Sequence, residues 1–260
     1  MKTAPGIDLK LRAARTKLKA FKRSARIFGE SNPYEVRGQI YRNVFDPSYY
    51  RVSLYLCRLK RPPALRWTTW VDEITYHLRS ALDAAVYDLS RSPERPNPCG
   101  TYFPIAIKES EFKQHGIRYL TDDQRAFIKS TQPYGRRDDP LWLLHEINRL
   151  NKHRVVQFSA ILVTPNQEDL SNHLHFTVSD LELRFAAFRP VLWGEDGTEL
   201  ASLTYSIIGP DPKVEVKLSM QTDIKFSEPA LTSTWHVGIL MDHILAEVED
   251  IISTLYSLPR

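Results

Sequence analysis

The residues best suited to chemistry fall in one short stretch, Pro140 to Arg154 (PLWLLHEINRLNKHR). His153 carries an imidazole whose ordinary pKa, about 6.5, suits general acid–base work near neutrality. Lys152, Arg149 and Arg154 are cations of the kind that hold a phosphate and stabilise charge developing on it. Asn148 or Asn151 adds a positioning amide, and His145 lies on the same stretch. A site that cleaves RNA through the substrate's own 2′-hydroxyl needs little more than these groups, with His153, Arg149 and Lys152 as its catalytic set. The competing account is structural: cations at a helix C-terminus satisfy the dipole, a gain of about 0.3–1 kcal/mol.

A second polar stripe, Asp72, Tyr76, Arg79, Asp83 and Tyr87, recurs at helical spacing. Within it Arg79 and Asp83 form an i,i+4 pair, worth about 0.2–0.5 kcal/mol on an open surface. They are the candidate binding residues that support the first stretch, together with His145, Asn148 and Arg154.

Other chemistries leave no trace. The chain lacks G-x-G-x-x-G, a Walker loop, G-x-S-x-G and H-E-x-x-H, since His145-Glu146 is followed by Arg149 where a zincin needs His. His173 and His175 alternate on a strand without a third ligand, and His236 and His243 lie two turns apart. Neither metal nor cofactor is expected.

The elements that must position these residues can be read from periodicity. Asp138 or Asp139 caps a helix that opens at Pro140, where a missing N–H costs nothing. Leu143, Leu144, Ile147 and Leu150 are its apolar face. Residues 68–90 form a second helix on Val71, Ile74, Leu78, Ala81, Leu82, Ala85 and Leu89. Between the two, Phe103-Pro104-Ile105 reads as an extended plug into the core. A short helix at 109–115 and another at 121–130 follow, the latter opened by the capping-box pair Thr121 and Gln124. Helices over 8–28 (Leu9, Leu11, Ala14, Leu18, Phe21, Ala25, ended by Gly29) and 234–258 complete the helical set. Residues 34–44 and 49–59 read as a β-hairpin, and five β-like segments follow between 155 and 226.

The charge is uneven. A net +4 over 260 residues conceals nine Lys/Arg against Asp8 alone in residues 1–28. Such a basic helix can contact RNA phosphates, or it can face the acidic last helix, with Asp242, Glu247, Glu249 and Asp250. No apolar run reaches the ~18 residues a bilayer demands, and the charged N-terminus is not a secretory signal. Cys57 and Cys99, without C-x-x-C spacing, fit a reduced, cytoplasmic setting.

Taken as a set, DEITYHLRSALDAAVYDL (72–89), YFPI (102–105), QPY (132–134) and PLWLLHEINRLNKHR (140–154) resemble a group of uncharacterised bacterial proteins. That group shares an "HNLRSALDH"-type helix, an "FPI" segment and a helix ending in "DKHR". Asn151 stands where the group has Asp, and Ala84 where it has His. More loosely, the chain resembles the HEPN superfamily, helical bundles that often act as metal-independent ribonucleases in toxin and antiphage systems. The resemblance implies an Arg-to-His active site, often completed by a dimer partner; here Arg149 and His153 are closer in sequence than that family's spacing.

The expectation is therefore a single α+β domain over 1–260. Its HEPN-like helical core is 8–28, 68–153 and 234–258, with the hairpin at 34–59 and a mainly antiparallel sheet inserted over 155–226, before the C-terminal helix. The expected function is RNA binding or metal-independent RNA cleavage, in phage defence, with a homodimer or partner protein and no membrane. The alternative is a non-enzymatic binding or scaffold protein in which the Arg79–Asp83–His153 cluster is structural. The two differ in one respect: an enzyme opens Arg149, Lys152 and His153 to one cleft, and a scaffold buries them or ties each to a carboxylate.

Overall fold

The computed structural model describes residues 4–31, 33–42, 45, 49–60, 63–151, 158–163, 174–176, 181–188, 199–207, 214–216, 221–227, 231 and 236–259. The described chain is rich in α-helix. Its elements are α1 (Pro5–Glu30), β1 (Tyr34–Arg42), β2 (Tyr49–Leu59), α2 (Arg66–Leu89), α3 (Asp122–Ser130), α4 (Pro140–Asn151), β3 (Phe158–Val163), β4 (Leu174–Phe176), β5 (Leu181–Phe188), β6 (Glu199–Ile207), β7 (Val214–Val216), β8 (Gln221–Phe226) and α5 (Val237–Ser257). Where the sequence shows no linker, the backbone groups into two compact units that interleave along the chain. A helical unit takes 1–23, 65–158 and 226–260, and a strand unit takes 24–64 and 159–225.

In the helical unit the apolar faces are those that the spacing requires. α2 buries Trp67, Val71, Ile74, Leu78, Ala81, Leu82, Ala85 and Leu89. α5 buries Val237, Leu240, Met241, Ile244, Val248, Ile251, Ile252 and Leu255. On α1 the expected stripe holds at Leu11, Ala14, Leu18 and Phe21. It is extended by Ile7, which is buried, and not by Leu9, which is 63% exposed, because a spacing of four and three residues puts Ile7 on that face and Leu9 off it. Phe21 packs edge-on against Trp67, with ring centroids 5.7 Å apart. The capping box of α3 is complete, with Thr121 and Gln124 satisfying each other's backbone N–H. At α4, Asp139 accepts from the Leu141 N–H at 2.9 Å. The helix expected over 109–115 is instead two 3₁₀ turns, Glu109–Glu111 and Gln114–Ile117.

In the strand unit, β1 and β2 pair antiparallel, and β2 also pairs antiparallel with β6, which pairs with β5. The order is β1-β2-β6-β5, while β3 pairs with β8 and β4 with β7. The hairpin expected over 34–59 is present as β1 and β2, but the inserted strands do not form one sheet: β6 and β5 extend the hairpin, while β3–β8 and β4–β7 pair apart. Alternation fixes which face of a strand is apolar but not which strand lies beside it.

The basic helix α1 is partly neutralised within its own unit. Arg15 meets Glu249 at 2.8 Å, Lys22 meets Asp242 at 2.5 Å and Lys17 meets Glu73 at 2.5 Å. Exposed pairs of this kind each contribute about 0–1 kcal/mol, so the seam sets charge complementarity more than stability. Among the described residues, no helix is long and apolar enough to cross a membrane.

Near the start of α4, Asp139 is also bound by Arg136 at 2.8 Å. Half-buried Glu247 on α5 has its carboxyl held above the ordinary range, by burial first and then by the charges of Asp139 and Asp250, against the opposing pull of Arg136. A carboxyl raised on folding stabilises fully below its unfolded pKa, and the contribution is lost as pH rises through the folded value. Glu247→Gln is therefore expected to be more stable than wild type at about pH 7, with the gain fading toward about pH 4, as read by urea denaturation at both. Leu78→Ala, at a position with no exposed surface, is expected to cost about 2–5 kcal/mol in the helical circular-dichroism transition.

Candidate functional site: a polar cleft between α2, α4 and the 102–106 segment

The centre of the site is a closed set of hydrogen bonds around Phe103. Asp83 Oδ1 accepts from the Phe103 N–H at 2.9 Å and from Arg79 Nη2 at 3.2 Å. The same Arg79 nitrogen donates to the Phe103 carbonyl at 2.5 Å. One turn of α2 thus supplies an acceptor and a donor to both backbone groups of an extended residue whose side chain is wholly buried. Further along, buried Gln132 accepts from the Ala106 N–H at 2.8 Å and donates to the Ile128 carbonyl at 2.9 Å. The plug read from the sequence is held at both ends.

α4 is tied to the same wall. Asn148 Nδ2 donates to the Thr75 carbonyl of α2 at 3.3 Å and to the Leu144 carbonyl at 2.9 Å. Arg149 forms a two-point fork with Glu146, Nε to Oε2 at 2.9 Å and Nη2 to Oε1 at 2.5 Å. The Glu146 side chain is 7% exposed and that of Arg149 52%. Hydrogen bonding to Glu146, and then its charge, hold the guanidinium pKa above its usual value.

Between these elements lies a cleft of about 770 Å³. Of the candidate residues, Arg79, Asp83, His145, Asn148 and Arg149 line it together. Lys152, His153 and Arg154 lie outside the described residues. Of the expected catalytic trio, only Arg149 is therefore placed. The basic helix takes no part, apart from Lys10, whose ammonium donates to the Ser80 hydroxyl at 2.6 Å.

The sequence reading did not single out Tyr102, Lys113 or Glu111, which also line the cleft, nor the bond from Asn148 to Thr75. The 3₁₀ turns carry no periodicity to mark them, and a main-chain partner has no side-chain signature. Glu146 was legible in principle, as the i,i−3 neighbour of Arg149 on one helix face. Among the described residues, no group of three or more His, Cys, Asp or Glu is placed to hold a metal ion.

Comparison with known proteins adds no relative: the chain matches no family model, no curated protein and no solved structure.

The clamp makes a direct prediction. Asp83→Ala leaves the part-buried Phe103 N–H without its acceptor and Arg79 without its carboxylate partner, and is expected to cost about 1–3 kcal/mol. Asp83→Asn, which keeps an acceptor oxygen, is expected to lose less. Equilibrium urea denaturation of the two variants beside wild type measures the difference.

Proposed function

We propose that this chain is a non-enzymatic binding protein whose polar helix cluster is structural and whose cleft is the recognition surface. One observation carries the reading: four of the candidate side chains that line the cleft, Arg79, Asp83, Asn148 and Arg149, are each bound to other groups of the helical unit. Arg79 and Asp83 are bound to each other and to Phe103, and Asn148 to Thr75 and Leu144. Arg149 is tied to a carboxylate, Glu146. A guanidinium paired in this way offers less uncompensated charge to a developing phosphorane than a free one, and electrostatic stabilisation of that kind is usually the largest catalytic contribution.

The second reading is a HEPN-like protein that binds or cleaves RNA without metal, in phage defence. What favours it is the convergence of Arg79, Asp83, His145, Asn148 and Arg149 on one cleft. In that reading the helical unit is a HEPN-like bundle and His153 is the acid–base residue.

Incubation of the purified chain with a panel of RNAs in EDTA, beside a folded His153→Ala variant, separates the two. The expected result is intact RNA with both proteins. Cleavage by wild type that disappears in the variant would overturn the binding reading.

A further inference from the structure

Resting on the reading of the cleft as a recognition surface, we propose that it takes a small ring-bearing oxyanion, a carboxylate or phosphate ester. The second edge of Arg149 and the Lys113 ammonium hold the anion, and Tyr102 packs against the ring.

The guanidinium of Arg149 has five N–H donors in a rigid plane. Glu146 takes the Nε–H and one Nη2–H, which leaves the other donors of the plane unclaimed by Glu146, on a side chain about half exposed that lines the cleft. Because Glu146 is buried, it fixes the orientation of that plane before any ligand arrives, so little side-chain entropy remains to be lost on binding. The forked pair is formally neutral, and Arg149 therefore contributes directional hydrogen bonds more than charge. Charge comes from Lys113, an exposed cleft residue with no hydrogen bond or ion pair to any described residue. The other cationic and acidic groups of the cleft are compensated: Arg79 by Asp83, and Glu111 by Lys108 at 3.8 Å. The balance favours an anion.

The 102–106 part of the lining suits a ring. Buried Pro104 and Ala106 give it an apolar floor. Tyr102 is set in place by Gly116, whose carbonyl accepts from the Tyr102 N–H at 3.2 Å. A Cβ at Gly116 would lie 2.7 Å from the Tyr102 carbonyl oxygen and 2.8 Å from its ring. Only glycine allows that approach, and the approach fixes where the Tyr102 ring stands. A space of about 770 Å³ falls within the range, about 300–1,000 Å³, of small-molecule sites.

The test is isothermal titration of the full chain with phenyl phosphate, benzoate, inorganic phosphate and neutral benzamide. At least one ring-bearing anion is expected to bind about tenfold or more tightly than inorganic phosphate, with no binding of benzamide; the tighter of the two names the anion. Lys113→Gln and Arg149→Lys, the latter keeping a cation beside Glu146, are each expected to weaken that binding about tenfold. Gly116→Ala is expected to weaken ring-bearing anions and leave inorganic phosphate unchanged. No binding by either ring-bearing anion, or binding that all three folded variants retain, would overturn the ligand class. Metal-independent RNA cleavage would instead sink the underlying reading, whatever the titrations give.

Discussion

The helical unit depends on how an extended segment buries its backbone. Phe103 enters the core with a main-chain N–H and C=O that no strand accompanies, and a buried polar group left unpaired costs about 1–3 kcal/mol. α2 meets both groups with two side chains one turn apart, Asp83 for the N–H and Arg79 for the carbonyl. The pair itself is partly exposed, at 25% for Arg79 and 37% for Asp83. Its direct attraction is therefore screened and modest. Its larger effect is geometric, because a segment fixed at Phe103 and again at Ala106 places Tyr102, Pro104 and Ile105 along one side of the cleft.

The same economy explains why segments far apart in sequence act as one feature. Arg79 and Asp83 come from the 72–89 helix, Phe103 from the YFPI segment, Gln132 from QPY and Asn148 from α4. Apart from the Arg79–Asp83 pair, each contact joins a side chain of one to a main-chain group of another or of its own preceding turn. Asn148 reaches the Thr75 carbonyl, so α4 is registered against α2 by a hydrogen bond as well as by the apolar packing of Leu144 and Ile147. The charged pairs that α1 makes with α5 and α2 work more loosely. Their side chains are about a third to a half exposed, and only Arg15 and Lys22 face the acidic last helix, while Lys17 faces Glu73 of α2.

What the sequence disclosed follows from what periodicity encodes. Helix positions, buried faces and the Thr121–Gln124 box were legible because each depends on residues within a turn or two of one another. The plug at 103–105 was legible as an apolar insert, but not the means of holding it, since Phe103 is gripped through atoms that every residue possesses. Strand partners were not legible either. β2 lies between β1, its neighbour in sequence, and β6, far along the chain, and nothing in an alternating strand names a remote partner. The interleaving of the two units hides the boundary for the same reason: the chain passes between them within α1 and at strand ends, where no linker composition is needed.

Glu146 shows how one unremarked carboxylate changes the meaning of a site. From its neighbours in sequence alone, a cluster of cations and histidines, Arg149 has the character of a phosphate clamp. With a buried carboxylate forked to one edge, its charge is compensated and its plane is locked, while the remaining donors keep their direction. Charge stabilisation and oriented hydrogen bonding are separable properties of a guanidinium. The fork weakens the first and preserves the second. What such a fork leaves on offer is the direction of the remaining donors more than free charge.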